Sequence, residues 1–185
     1  MKAIENIKKL ALGFAAASLI AAGVGPAAAA DAKPAPAAGS AQELKVKIIK
    51  LPVKDGVSFD DAVESLKLRA NTRNFKFVGH SPLSKEIEAQ TGKPALRAEI
   101  FSFCDALTAR QFIDVSLDFA AFLPCRVAII EDTSKKMWVV SMMMDMSWLD
   151  TGKGGPPVPE KLRARAAEII DIMNDMIKAA ANGDI

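Results

Sequence analysis

Hydrophobic and polar residues alternate at the start of the region that can form a globular domain. Leu44, Val46 and Ile48 alternate with lysines, which is the pattern of a half-buried β-strand. The alternation loses its phase at Ile49, and this predicts a bulge or a bend before Pro52.

The pattern changes to helical spacing after Ser58. This serine is a good N-cap, and Asp61 three residues later completes a variant of the capping box. A second, short helix is expected between Pro82 and Gly92, because proline suits the first helical position and glycine suits a helix end. The apolar positions of the first helix are Phe59, Ala62, Val63, Leu66 and Ala70.

Short apolar runs bounded by turn residues predict four further strands. They cover residues 75–78, 96–103, 126–131 and 137–146, and a helix is expected at 105–117. The last two strands flank residues 132–136 and predict a hairpin.

The longest helical pattern covers residues 160–182, and Gly183 is the expected C-cap. Its apolar stripe could lie on a sheet or form the seam of a dimer, and a run of under four heptads favours the sheet. Together the elements predict an α+β fold: a mainly antiparallel sheet of about five strands, with helices packed on it and a long C-terminal helix. The stripe consists of Leu162, Ala166, Ile169, Met173, Met176 and Ala180.

The N-terminal segment has the pattern of a secretory signal. Lys2, Lys8 and Lys9 precede an uncharged run that ends in three alanines at Ala30. An uncleaved membrane anchor is the alternative, but glycines and a proline interrupt the run and much of the rest is alanine. We therefore expect a signal peptide at 1–30 and a periplasmic location, with no membrane attachment after cleavage.

The composition divides the rest of the chain into two parts. Residues 31–42 form a Pro/Ala/Gly/Ser tract that predicts a flexible leader, and residues 43–185 are the size of one domain. Removing the signal takes three lysines and one glutamate, so the formal charge of +2 falls to 0. A neutral chain has no electrostatic footprint for nucleic acid.

Both cysteines lie in the segment IFSFCDALTARQFIDVSLDFAAFLPCRVAIIED, residues 100–132. A strand ends in Cys104, a helix follows, and an apolar stretch closes on Leu-Pro-Cys125 before a strand that ends in Glu-Asp. This pattern resembles the family catalogued as domain of unknown function 302. The resemblance covers about residues 44–149; it implies an α+β fold and makes a homodimer possible.

The cysteine pair leaves three interpretations open. Cys104 at a strand-to-helix junction could be an activated thiolate, although Asp105 next to it favours the neutral thiol. Both cysteines could instead be packed apolar residues, or Cys104 and Cys125 could form a disulfide, which an oxidising compartment allows. We expect the two cysteines on adjacent parts of the sheet, within disulfide reach.

The chain has a single histidine, His80, which excludes intrachain metal sites that need two histidines. It could join a cysteine and nearby methionines in a Cu(I) site or serve as an axial haem ligand. His80 is expected to end the strand that begins at Phe75, and Cys104 the strand that begins at Leu96. If these strands were parallel neighbours, both side chains would meet at one end of the sheet. The candidate ligand-binding residues are His80, Cys104, Cys125, Arg126, Trp138 and Met142.

The methionine-rich strand has a simpler interpretation as well. Met142, Met144 and Met146 could form one face that packs against the terminal helix, since methionine often fills gaps in cores.

No complete catalytic set is visible: a nucleophile elbow, a phosphate-binding loop and a CxxC motif are all missing from the sequence. The expected function is therefore that of a small exported binding or interaction protein, whose unknown partner is a small ligand or a periplasmic protein. The alternative is a redox, metal- or haem-handling protein that uses Cys104 and Cys125, with His80 and nearby methionines. The sequence identifies no cofactor.

Overall fold

A computed structural model describes residues 46–149 and 155–185, so the expected signal peptide and leader lie outside it. These residues form a five-stranded sheet in the order β1-β5-β4-β3-β2, in which every neighbouring pair is antiparallel. The predicted α+β class with an antiparallel sheet and a long C-terminal helix is confirmed. The strands are β1 (Val46–Pro52), β2 (Lys76–Ser81), β3 (Ala98–Cys104), β4 (Cys125–Glu131) and β5 (Met137–Met144). The helices are α1 (Phe59–Thr72), α2 (Leu83–Thr91), α3 (Ala106–Val115) and α4 (Glu160–Asn182), with 3₁₀ helices at Leu117–Phe122 and Met146–Leu149.

Local capping signals fix the helix ends. Ser58 and Asp61 form the predicted capping box: the Ser58 hydroxyl accepts from the Asp61 amide at 3.1 Å, and the Ser58 amide donates to the Asp61 carboxylate at 3.2 Å. Gly92 and Gly183 end α2 and α4 with φ of 66° and 71°, in the left-handed region that glycine adopts without strain. Pro82 is the N-cap of α2 and not its first helical residue.

The predicted bulge in β1 is wrong, because β1 pairs with β5 in one unbroken register. Ile49 and Leu51 pack against the core, whereas Ile48 points to the other face and is 62% exposed. An edge strand with one uncovered face can carry apolar residues on both sides, and this explains the apparent change of phase. The register instead shifts in β2, between Phe77 and Gly79.

Helices α1 and α4 cover one face of the sheet, and the main core lies between them and the strands. The terminal helix therefore packs on the sheet, as its length indicated. We call this core the sheet core; its members include Leu66, Phe101, Phe103, Val127, Ile129, Val139, Met143, Met173 and Met176.

A second group of buried residues, the end cluster, lies beside the N-terminal part of α4. Here α4 meets α3 and the 3₁₀ helix Met146–Leu149, and α3 meets the 3₁₀ helix Leu117–Phe122. Within the two described ranges, no helix is both long and apolar enough to cross a membrane. The end cluster consists of Phe112, Phe119, Trp148, Leu149, Val158, Leu162 and Ala166.

Two leucines on α1 test the position of the sheet core. Leu66 is fully buried, and Leu68 is 42% exposed. We expect Leu66→Ala to lower the free energy of unfolding by about 2–5 kcal/mol, because it leaves a cavity in the core. Leu68→Ala is the matched control and should change it by less than about 1 kcal/mol. Urea unfolding measures both values, and equal losses would contradict this packing.

Candidate functional site

A cavity of about 100 Å³ lies at the end of the sheet where β3 ends and β4 begins. It is located between the sheet core and the end cluster, since its lining includes members of both. Helices α3 and α4 and the 3₁₀ helix Leu117–Phe122 line it on the side away from the strands, and the space is partly open to solvent. The lining is mainly aromatic, aliphatic and sulfur-containing, and includes Phe75, Cys104, Phe112, Cys125, Met143 and Met173.

Both cysteines contribute to this cavity. Cys104 is the last residue of β3, and Cys125, the first residue of β4, pairs with Phe103. The prediction that the cysteines lie on adjacent parts of the sheet is confirmed. The prediction that they lie within disulfide reach is wrong, since both are free cysteines that are not at disulfide distance. The disulfide, one of the three interpretations left open, is therefore not shown.

The environment of the thiols favours their neutral form. Burial, together with the nearby Cys104, raises the pKa of Cys125 to about 11. Burial also raises the pKa of Cys104, and the carboxylate of Asp105 adds to the effect. The start of α3 therefore does not produce the activated thiolate that the sequence position suggested, because desolvation dominates over the helix terminus.

Asp105 is the one charged side chain among the lining residues that the structure describes. It caps α3 by accepting from the Thr108 amide at 3.2 Å and from the Thr108 hydroxyl at 2.7 Å. Arg165 on α4 donates to it at 2.7 Å. Burial raises the pKa of Asp105, but the hydrogen bonds from Thr108 and Arg165 outweigh this and hold the pKa below its usual range. The carboxylate is thus engaged in joining α3 to α4.

His80 lies away from the cavity. Strands β2 and β3 are antiparallel, so Cys104 pairs with Lys76 while His80 pairs with Phe101. The predicted convergence of His80 and Cys104 at one end of the sheet is therefore wrong. The physical reason is the direction of the strands, since in an antiparallel pair the end of one strand lies beside the start of the other.

The surroundings of His80 form a polar network with a structural role. Its ring stacks on Phe101 with centroids 4.8 Å apart and planes at 9°, and its Nε2 lies 2.8 Å from Oε2 of Glu99. Arg97 donates to Glu99 at 2.9 Å and forms an ion pair with Asp60 at 2.9 Å. The network joins β2, which is an edge strand, to β3 and to the start of α1.

Of the other candidate ligand-binding residues, only Met142 lines the cavity, although it is 41% exposed. Arg126 is exposed on β4. Trp138 belongs to the β4–β5 hairpin: its indole donates to Asp132 at 2.8 Å, and the Lys50 ammonium lies 4.0 Å from its ring centroid. Cys104, Cys125 and Met142 are thus brought together, whereas His80, Arg126 and Trp138 are not.

The predicted methionine face of β5 is shifted by one residue. Met143, and not Met142, belongs to the sheet core and is 7% exposed. The pairing of β5 with β4 sets which side chains point inward, and Val139 and Ser141 share the inward face with Met143. Met144 and Met146 pack against the end cluster, which includes Leu162 and Ala166 of α4.

Several lining residues were not among the candidates from the sequence. Phe112, Phe119 and Phe122 form the aromatic wall of the cavity, and Ala109 and Ala166 contribute small side chains. The signal for Ala166 was present in the stripe of α4, where a small residue in a row of larger ones leaves space against a neighbouring element.

A family model described as a domain of unknown function, DUF302, matches residues 49–180. The chain belongs to the DUF302 family. The match extends beyond the segment that showed the resemblance in the sequence and includes most of α4. No curated protein matches the chain. Among solved structures, the chain is similar to a conserved DUF302 protein from Bacillus stearothermophilus, with 15% sequence identity and a TM-score of 0.54, over 72% of this chain and 97% of that one. This likeness shows the DUF302 fold.

Glu99 is expected to make stability depend on acid pH. Burial raises its pKa, but the hydrogen bonds from Arg97 and His80 outweigh burial and lower the pKa below its usual value. Its contribution is therefore present above the unfolded-state pKa of about 4.3 and is lost as the pH falls through the lower folded-state pKa. Urea unfolding between pH 7 and pH 3 measures how the free energy of unfolding falls with pH. This fall should be less steep for Glu99→Gln than for the parent. Glu64→Gln, at an exposed position on α1, should retain the parent's slope.

The thiols are expected to react slowly at neutral pH. With the pKa of Cys125 raised to about 11, its alkylation rate should increase about tenfold for each pH unit from 8 to 10, because the thiolate is the reactive form. A free cysteine with a pKa of about 8.5 would approach a plateau in this range. Mass spectrometry of iodoacetamide-treated protein measures the rate at each cysteine. A plateau for Cys125 below pH 9 would contradict the buried environment.

Proposed function

We propose that the mature chain is a small exported binding protein that holds its ligand in the cavity at the end of the sheet, without catalytic turnover. The observation that supports the proposal most is the cavity itself, an apolar space lined by members of both buried clusters. Packed cores rarely keep such a space, and concave apolar sites with few polar groups are typical of ligand binding.

The composition of the cavity supports binding without chemistry. Its one carboxylate, Asp105, is engaged by Thr108 and Arg165, so no free general base stands beside the thiols among the described lining residues. His80, a possible base, is held by Glu99 at another place on the sheet.

The geometry favours neither haem nor disulfide exchange. A cavity of about 100 Å³ is smaller than the roughly 150 Å³ that accommodates benzene in an engineered core, so a haem would not fit without rearrangement. The raised pKa values of both thiols do not favour a nucleophilic thiolate. We therefore place the redox alternative second to binding.

Export remains the proposed route to the periplasm, on the pattern of residues 1–30. A homodimer and a periplasmic partner stay predictions. The formal charge of 0 for the mature chain does not favour a nucleic-acid partner.

Export has a direct test. We expect cleavage after Ala30, so that N-terminal sequencing of protein from a bacterial periplasm begins at Asp31. Ala30→Phe should block processing, because the residue before the cleaved bond must be small. Ala29→Phe is the matched control, one position away, and should be processed normally. A precursor retained with its full N-terminus in the parent would overturn the assignment.

Occupancy of the cavity can be tested with xenon, a probe that enters apolar cavities. Xenon should shift amide NMR signals of residues around the cavity in the parent protein. Ala166→Leu should abolish these shifts, since the added carbons fill the space beside α4. Ala167→Leu is the control, because Ala167 is exposed on the same helix. Absence of xenon shifts in the parent would refute a ligand site here.

A further inference from the structure

We propose that the cavity binds a soft monovalent metal ion, represented by Cu(I), through the sulfur atoms of Cys104, Cys125, Met143 and Met173. The inference rests on the proposed function, since it names the class of ligand that the binding site takes.

Four elements contribute these sulfur-containing side chains to the lining of one cavity. Val127 pairs with Ser141, so two positions further along the same face of the antiparallel pair Cys125 comes opposite Met143. Cys125 packs against the sheet core, which contains Met143 and Met173. Cys104 lines the same cavity from the end of β3, where its neighbour Phe103 pairs with Cys125.

The size of the cavity favours an ion over an organic ligand. About 100 Å³ is less than the roughly 150 Å³ of an engineered cavity that binds one benzene molecule. A single metal ion needs only a few atoms' width of space between its donors. The fit is therefore better for an ion than for a molecule of metabolite size.

The donor set selects the kind of ion. Thiolate and thioether ligands suit Cu(I), whereas carboxylate and carbonyl oxygens suit Mg²⁺ and Ca²⁺. Asp105, the charged group of the lining, is engaged by Thr108 and Arg165. In residues 46–149 and 155–185, no three His, Cys, Asp or Glu side chains are grouped to hold a metal ion. A zinc site of the usual kind needs such a group, so methionine sulfur has to complete the set.

The charge balance fits an apolar cavity. When Cu(I) binds, a copper–sulfur bond forms at one cysteine as its S–H bond breaks, and the proton leaves to solvent. Neither copper nor sulfur changes oxidation state. Cu(I) with one thiolate is neutral, and thioethers and a second thiol add no charge, so the complex avoids the cost of a buried unpaired charge.

The test is a Cu(I) titration of the reduced protein under anaerobic conditions, in competition with a chromogenic Cu(I) chelator. We expect one Cu(I) per chain in the parent. The double variant Cys104→Ser/Cys125→Ser should bind at least about a hundredfold more weakly, and Met173→Leu about tenfold more weakly, because each removes soft donors. Leucine has nearly the shape of methionine, so the Met173 variant keeps the test valid if the serine variant fails to fold.

Two control variants separate this site from general thiol or methionine binding. Met176→Leu changes a buried methionine of α4 that does not line the cavity, and His80→Ala removes the histidine of the polar network. Both should bind Cu(I) like the parent. Equal weakening in Met176→Leu and Met173→Leu would overturn the inference. X-ray absorption of the copper complex should show sulfur neighbours, and a nitrogen neighbour would overturn it.

The xenon experiment distinguishes failure of the metal inference from failure of the proposed function. If xenon enters the parent and Cu(I) does not bind, the binding site stands and its assignment to a soft metal ion is wrong. If neither binds, both proposals fall. The serine double variant should still take up xenon, because it retains the cavity while losing the thiol donors.

Discussion

Burial of α4 against the sheet and α1 is the interaction on which the rest of the structure depends. Met176 and Ala180 are fully buried in it. Arg69 of α1 and Arg73, the residue that caps its end, form ion pairs with Asp175 of α4 at 2.5 and 2.7 Å and fix the alignment. The helix of 23 residues is long enough to contribute to two clusters, the sheet core and the end cluster. The cavity lies along α4 between the sheet core and the end cluster. Its position is therefore a consequence of the length of α4.

Features with a short-range cause could be predicted from the sequence. The capping box at Ser58, the glycine ends of α2 and α4, and the hairpin between β4 and β5 each depend on residues a few positions apart. The apolar stripe on α4 could be predicted for the same reason, since its residues repeat three or four positions apart within one helix. The presence of both cysteines at one site also followed from local order, because Cys104 ends a strand and Cys125 begins the next.

Features that depend on pairing between strands could not be predicted in this way. Whether His80 and Cys104 meet is decided by the direction of β2 relative to β3, and which methionine of β5 points inward is decided by register. A shift of one residue exchanges the two faces of a strand, and so Met143 takes the place predicted for Met142. The state of the thiols is likewise set by burial from distant elements, and this outweighs the local effect of a helix start.

The polar network around His80 and the sulfur-containing lining of the cavity differ in a way that decides where a ligand would bind. At the polar network, His80 and Arg97 both contact Glu99, and stacking on Phe101 holds the histidine ring. In the described part of the chain, no buried side-chain nitrogen or oxygen lacks a hydrogen-bond partner. The polar groups are thus already used by the fold. Sulfur donors are different, because packing stabilises a thiol or a thioether without using its lone pairs. The lining of the cavity therefore keeps coordinating capacity that the fold itself does not consume, and this makes the sulfur-lined end of the sheet the better candidate for a binding site.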